Sequence, residues 1–290
     1  MCSAFFLGFP RLLKLHNIPR AMVHNTLEAA MAEVQRKLGA YHEKAAGTRV
    51  ALVTGSTSGI GAAIARRLAA DGFAVVLHSR GSVEVGRALA AELGQAAYIQ
   101  ADLADDSDRV RLVQEAIAVW GQLDVLVNNA GISRVIPHAD LGAATPDIWR
   151  ELHEVNVIAP FRLITEAESA LRDAARRGPC GCIVNVSSHA GVRAKGASIP
   201  YAATKAALNH MTRLLAVSLA PDIRVNAVAP GLVDTPMTAD WTDAQRIWRE
   251  RAPMRRAARP EDIAQAVAMF VTSDYLTGEI LLSDGGLNLI

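Results

Sequence analysis

The chain has 290 residues, 51% of them hydrophobic and 20% charged, with a formal net charge of +1. That length holds one large domain or two small ones around a sizeable core, and the balanced charge leaves no footprint for nucleic acid or an anionic membrane. Three cysteines, with Cys180 and Cys182 too close to bridge readily, make no disulfide framework, and no apolar run is long enough to span a bilayer, so a reducing, cytoplasmic setting is expected.

Residues 1–47 differ in character from the rest. The apolar patch at 4–9 is cut off by Pro10 and followed, not preceded, by Arg11, Lys14 and Arg20, which argues against a secretory signal. The absence of acids before Glu28 suits an organelle transit segment but the scarcity of serine does not, and Met22 or Met31 offers another start. Leu27, Ala30, Met31, Val34, Leu38 and Tyr41 recur at helical spacing and predict an amphipathic helix over 26–41, an extension ahead of the main domain at 48–290.

The apolar, β-branched run RVALVT at 49–54 predicts a strand, and GSTSGIG follows at once over 55–61, with a helix over 62–70. Strand, glycine-rich turn and helix in that order is the setting in which such a turn binds phosphate. Glycines let the backbone approach a ligand, and the helix start offers free N–H groups and a positive dipole end. An ordinary glycine turn is the rival reading. A second buried strand over 73–77 leads into His78-Ser79-Arg80. In a dinucleotide-binding fold the adenosine ribose lies just beyond this strand, where an acid would select a free 2′-hydroxyl. None is present; Ser79 can donate a hydrogen bond and Arg80 can pair with a phosphate, which favours NADP over NAD. A solvated Arg80 is the plainer alternative.

The alternation continues with a helix over 83–93, a strand over 97–100, Asp102-Leu103, a helix over 106–120 and a strand over 123–127 that ends in Asn128-Asn129-Ala130-Gly131. Side-chain amides there can meet a ligand or fix neighbouring backbone. One long helical region over 145–175 contains Asn156; a strand over 182–186 precedes Ser187-Ser188; a helix spans 201–220. A strand over 223–228, then Pro230-Gly231 and Thr235, a helix over 261–271 and a last strand over 279–282 complete the chain. Strands alternating with helices throughout predict an α/β doubly wound parallel sheet, a Rossmann fold in a single domain behind the N-terminal extension.

The stretch from Ser188 to Lys205 carries the chemistry. Tyr201 and Lys205 are four apart, hence one turn apart on one helix face. A phenol titrates near ~10 in water, and an adjacent ammonium favours its ionised form, so the pair predicts a tyrosine tuned toward proton transfer. Taken alone the pair also fits a solvated helix face. No Cys/His cluster has metal-ligand spacing, so no metal is predicted.

Together, Thr54 to Gly61, Asp102-Leu103, Asn128 to Gly131, Asn156, Ser188, Tyr201-x-x-x-Lys205 and Pro230-Gly231 resemble the short-chain dehydrogenase/reductase family in its single-domain form, over 48–290. The closing segment at 253–286 looks most like the 3-oxoacyl-carrier-protein reductase branch. The resemblance implies Tyr201 as general acid in reduction, Lys205 lowering its pKa, Ser188 on the substrate oxygen, and Asn156 supporting a water relay. Ser187 is then structural. It implies cofactor contacts along Gly55, Ser58, Gly59, Ile60 and Gly61, at Ser79, Arg80, Asp102 and Leu103, at Asn129, Ala130 and Gly131, and at Tyr201, Lys205, Pro230, Gly231 and Thr235. It further implies NADPH-linked reduction of a small carbonyl, or oxidation of the alcohol, by a homo-oligomer, a tetramer or dimer. Substrate choice is expected in 232–256, where Trp241 and Trp248 either wall a pocket or staple the segment to the body. A non-catalytic NADP-binding sensor is the competing reading; the presence of Ser188, Tyr201 and Lys205 counts against it.

Overall fold

The computed structural model describes residues 47–290; the helix predicted over 26–41 lies outside them. Its seven strands are β1 (Val50–Val53), β2 (Ala74–Ser79), β3 (Ala96–Gln100), β4 (Val125–Asn128), β5 (Gly181–Val186), β6 (Ile223–Pro230) and β7 (Ile280–Ser283). All pair in parallel in the order β3-β2-β1-β4-β5-β6-β7. Parallel strands need crossovers, and the helices supply them: α1 (Gly59–Ala70), α2 (Val83–Leu93), α3 (Asp106–Trp120), α4 (Pro146–His153), α5 (Ala159–Arg177), α6 (Ile199–Leu219), α7 (Thr242–Arg251) and α8 (Pro260–Thr272).

Side chains alternate across each strand, so both faces of a sandwiched sheet must be apolar. Val50 and Leu52 point into one core with Leu112 of α3, Leu163 of α5 and Leu219 of α6. Ala51 and Val53 point into the other with Ile64 of α1, Leu89 of α2 and Phe270 of α8. The order reverses between β1 and β4, and in such sheets a crevice opens beyond the carboxyl ends of the strands at the reversal.

The long helix expected over 145–175 is interrupted. After α4, residues Glu154–Ile158 form a π-helical turn before α5 begins, with Pro160 in the first turn of α5. The wider turn re-aims a side chain without ending the helical path; here the buried one is Asn156.

Candidate active site

The carboxyl ends of β1, β2, β4, β5 and β6 open into one cavity of about 990 Å³. Every residue predicted for the cofactor lines it, as do Ser188, Tyr201 and Lys205. Asn156 does not; it stands behind the wall.

The glycine-rich turn is held from both sides. The hydroxyl of Thr54 accepts the N–H groups of Asn129 and Ala130, both at 3.0 Å. The Asn129 amide donates to the carbonyls of Thr54 (2.9 Å) and Gly55 (3.1 Å), and Asn128 donates to Asn185 at 2.9 Å. Of the two uses open to these amides, both side chains fix neighbouring groups. At Gly61 a Cβ would stand 2.2 Å from the Gly55 carbonyl oxygen, so no other residue fits where α1 passes the turn. No side chain caps α1 and its first turn holds no acid. The N–H groups of that turn have no intrahelical partner and face the cavity with the positive dipole end. A pyrophosphate fits such a cradle.

His78 completes the turn's support and was not singled out by sequence. It is 2% exposed, accepts the Gly55 N–H on Nδ1 at 3.1 Å, and lies 3.0 Å from the Ala101 carbonyl oxygen on Nε2. With Nδ1 accepting, Nε2 carries the proton and donates. Burial, partly offset by the Ala101 carbonyl and by Asp102 and Asp108, lowers its pKa below the ordinary imidazole value, so the ring stays neutral. Histidine within a buried strand has no local spacing that foretells a contact 23 residues back; only the pairing of β1 with β2 makes it.

Beyond β2, Ser79 is buried, 2.8 Å from the Tyr98 hydroxyl, and takes the Ser82 N–H at 3.1 Å. Its hydroxyl is thus engaged in holding the loop. Arg80 is exposed at the cavity rim, with its carbonyl accepting from Gln100 at 2.9 Å. Asp102 caps Ala104 N–H at 3.0 Å beside Leu103. Across the cavity, Thr235 packs against the turn, its methyl 3.2 Å from where a Gly59 Cβ would stand. Pro230 ends β6, and Gly231 donates to Ser283 at 2.9 Å.

At the far end, Ser188 caps the short 3-10 turn His189–Gly191, its hydroxyl accepting Ala190 N–H at 3.1 Å. Ser198 caps α6 by taking the Tyr201 N–H at 3.3 Å, and the helix presents Tyr201 and Lys205 on one face. Ser188 and Tyr201 both line this end of the cavity, and the Ser188 hydroxyl favours ionisation of the tyrosine. The Lys205 ammonium lies 5.9 Å from the tyrosine ring centre and donates to the Val186 carbonyl at 2.9 Å. Ser187 donates to the Lys205 carbonyl at 3.2 Å, the structural part expected of it. Asn156 accepts Ile132 N–H at 2.9 Å and donates to the Ile132 carbonyl (2.9 Å) and to Thr204 (3.2 Å), which tie the turn after β4 to α6. Gly131 lets Asn156 and Lys205 approach: a Cβ there would stand 3.1 Å from Asn156 Oδ1 and 3.5 Å from Lys205 Nζ.

The electrostatics correct one expectation. Burial raises the Tyr201 pKa above its ordinary value, and the neighbouring Ser188 hydroxyl only partly offsets this; the lowering expected from Lys205 is not among the causes. Burial depresses Lys205 itself from 10.5 to about 8. Lys205 makes no contribution to set against the burial of Tyr201: its ammonium donates to the Val186 carbonyl. A protonated Tyr201 suits giving a proton, the need of carbonyl reduction. Among the described residues no group of three or more His, Cys, Asp or Glu could hold a metal ion.

The remaining wall mixes polar residues such as Lys195, Asp240 and Asp243 with an apolar surface. Leu232, Met237, Ile247 and both tryptophans line the cavity. Trp241 sits just before α7 and Trp248 within it; both line the cavity, and Trp248 also packs against His189 and Gly231, so it serves the favoured role of staple as well as that of wall.

The chain matches, over residues 55–288, the family model described as enoyl-(acyl carrier protein) reductase. It is 50% identical over 244 residues to a Streptomyces violaceoruber protein named "Granaticin polyketide synthase putative ketoacyl reductase 2", covering 83% of this chain and 96% of that one. It superposes with TM-score 0.77 on 3-ketoacyl-(acyl-carrier-protein) reductase from Brucella melitensis complexed with NADH, at 32% identity, covering 82% of this chain and 98% of that one. A blue fluorescent protein from a metagenomic library, in complex with NADPH, superposes with TM-score 0.75 at 39% identity, covering 82% and 97%. With its seven-stranded parallel sheet and one cavity joining the glycine-rich turn to Ser188 and Tyr201, the chain belongs to the short-chain dehydrogenase/reductase family and is an oxidoreductase that works on a carbonyl or alcohol with a nicotinamide cofactor.

Proposed function

We propose that this protein reduces a ketone with NADPH, and that residues 48–290 form its catalytic domain. The observation that carries the reading is that Ser188, Tyr201 and Lys205 converge at the end of the cavity that begins at the glycine-rich turn. The cofactor supplies the hydride to the carbonyl carbon. Ser188 donates a hydrogen bond to the carbonyl oxygen and so fixes the ketone beside Tyr201. Tyr201 gives its hydroxyl proton to that oxygen as charge develops there. Lys205, with a pKa of about 8, is largely an ammonium at neutral pH and stabilises the tyrosinate that remains. Asn156 is a positioning residue: it holds Ile132 and Thr204, and through them the wall and α6.

NADPH is favoured because Arg80 is the exposed cation at the end of β2, in the sequence His78-Ser79-Arg80-Gly81 without an acid. Substrates of the 3-oxoacyl type are supported by the kinship to named ketoacyl reductases. Exposed Phe161 on α5 and Leu214 and Val217 on α6 support a homo-oligomer joined through these helices. The free thiols Cys180 and Cys182 support a cytoplasmic setting.

The deciding experiment is a panel of ketones with NADPH, run on the wild type and on Tyr201→Phe. Turnover in the wild type that falls by about 10²-fold or more in the variant, with NADPH still quenching its fluorescence, is the expected result. A wild type that binds NADPH yet reduces nothing would mark a non-catalytic dinucleotide-binding protein.

A further inference from the structure

The catalytic reading leaves one buried polar side chain of the substrate half without a task. His189 follows Ser188 directly, is 6% exposed, and lines the cavity. Its Nε2 is buried without a hydrogen-bond partner and stands 3.5 Å from Asp284 Oδ2. Its ring meets Trp248 edge-on, with ring centres 6.2 Å apart. Asp284 is itself fixed from below, its Oδ1 accepting Gly286 N–H at 2.9 Å and its Oδ2 accepting Asn288 N–H at 2.7 Å.

These contacts set the chemistry of the ring. A carboxylate only accepts, so the nitrogen facing it carries the proton. Burial, opposed by Asp284 and assisted by Lys195 and Arg193, lowers His189 below its ordinary value, so the ring is neutral. Nδ1 is then a lone-pair acceptor on a buried side chain flanked by Asp284 and Trp248. Such an acceptor asks for a donor, and His189 lines the cavity where one can be brought. Leu232, Trp241, Ile247 and Trp248 put apolar and aromatic surface on this wall, beside polar lining that includes Lys195 and Asp243, and offer flat faces to a ring system.

We propose that His189, oriented by Asp284, determines specificity by accepting a hydrogen bond from a hydroxyl group on a cyclic or aromatic ketone. This rests on the ketone-reductase reading and adds the class of compound: a ring ketone that carries a second, donor oxygen. A site with a buried acceptor discriminates against an analogue lacking the donor, since the acceptor is then left dry and unpaired.

The test compares reduction of α-tetralone and of its ring-hydroxylated isomers, with NADPH, by the full chain, by His189→Phe and by Asp284→Asn. Binding of the same compounds is read in parallel by quenching of tryptophan fluorescence. In the wild type, at least one hydroxylated isomer should exceed α-tetralone by about tenfold in kcat/KM and in affinity. His189→Phe keeps an aromatic ring and removes the acceptor, so the ratio should fall to about one. Asp284→Asn keeps a carbonyl for Gly286 N–H and puts an amide donor at the Oδ2 position, toward Nε2 and at the loss of the Asn288 contact; the proton then moves to Nδ1 and the ratio should fall there too, with thermal unfolding registering the lost contact separately. The ratio, not the absolute rate, is the readout. No preference in the wild type, or a preference that survives both substitutions, overturns the assignment of His189. Reduction of α-tetralone without preference does this while upholding the reductase reading; a binding preference without any reduction of ketones upholds His189 and overturns the reductase reading.

Discussion

Replacing Lys205 by methionine should separate activity from stability. Lys205 is 5% exposed, and its pKa falls from 10.5 to about 8 through burial. Holding the ammonium in the fold at neutral pH therefore costs on the order of 3 kcal/mol relative to the unfolded chain. Methionine fills similar volume without that cost, but leaves the Val186 carbonyl without the donor it has at 2.9 Å, a loss of about 1–3 kcal/mol. The net expectation at pH 7 is a variant at least as stable as the wild type, by up to about 2 kcal/mol. The sign follows from proton counts. Between pH 8 and 10.5 the unfolded chain binds the proton that the folded one has released, so wild-type stability rises with pH across that window. The methionine variant lacks this slope, so its advantage is complete below about pH 8 and gone above 10.5. Urea unfolding at pH 7, 8, 9 and 10, with kcat/KM on the best ketone, would measure both sides. Activity should fall by about 10²-fold or more. A variant that is less stable at pH 7 by an amount constant with pH would refute the claim that burial of this ammonium opposes folding.

Other predictions test the cofactor half. Arg80→Ala should weaken NADPH binding by about 10-fold or more, the loss of one charge-assisted contact, and leave NADH binding nearly unchanged in the same titration. Gly61→Ala puts a methyl 2.2 Å from the Gly55 carbonyl oxygen; NADPH and NADH binding should both be lost to calorimetry, with a lower Tm. His78→Leu strips partners from Gly55 N–H and the Ala101 carbonyl, at about 1–3 kcal/mol for each buried group left unpaired, visible in thermal unfolding. Because the folded His78 pKa lies below its unfolded value, its contribution is present above the ordinary imidazole range and declines as pH falls through it. The wild type should lose stability there more steeply than the leucine variant.

The order of elements was legible because it rests on local physics. A sheet covered on both faces demands continuous apolar strands, and 49–54, 73–77, 123–127 and 182–186 are such runs. Tyr201 and Lys205 were legible because one helical turn brings them together. The glycines of 55–61 were legible because their backbone demands exclude other residues. Tertiary structure alone decided the rest. Residues 145–175 are helical in pattern throughout, so nothing local marks the π turn that buries Asn156. The direction of the Tyr201 shift depends on how much water the assembled fold removes, which outweighs a neighbour chosen by spacing. His78 meets Gly55, and His189 meets Asp284, only after distant strands have paired. Spacing along a chain determines which residues share an element; which groups are left dry, and beside what, is settled only when the elements pack.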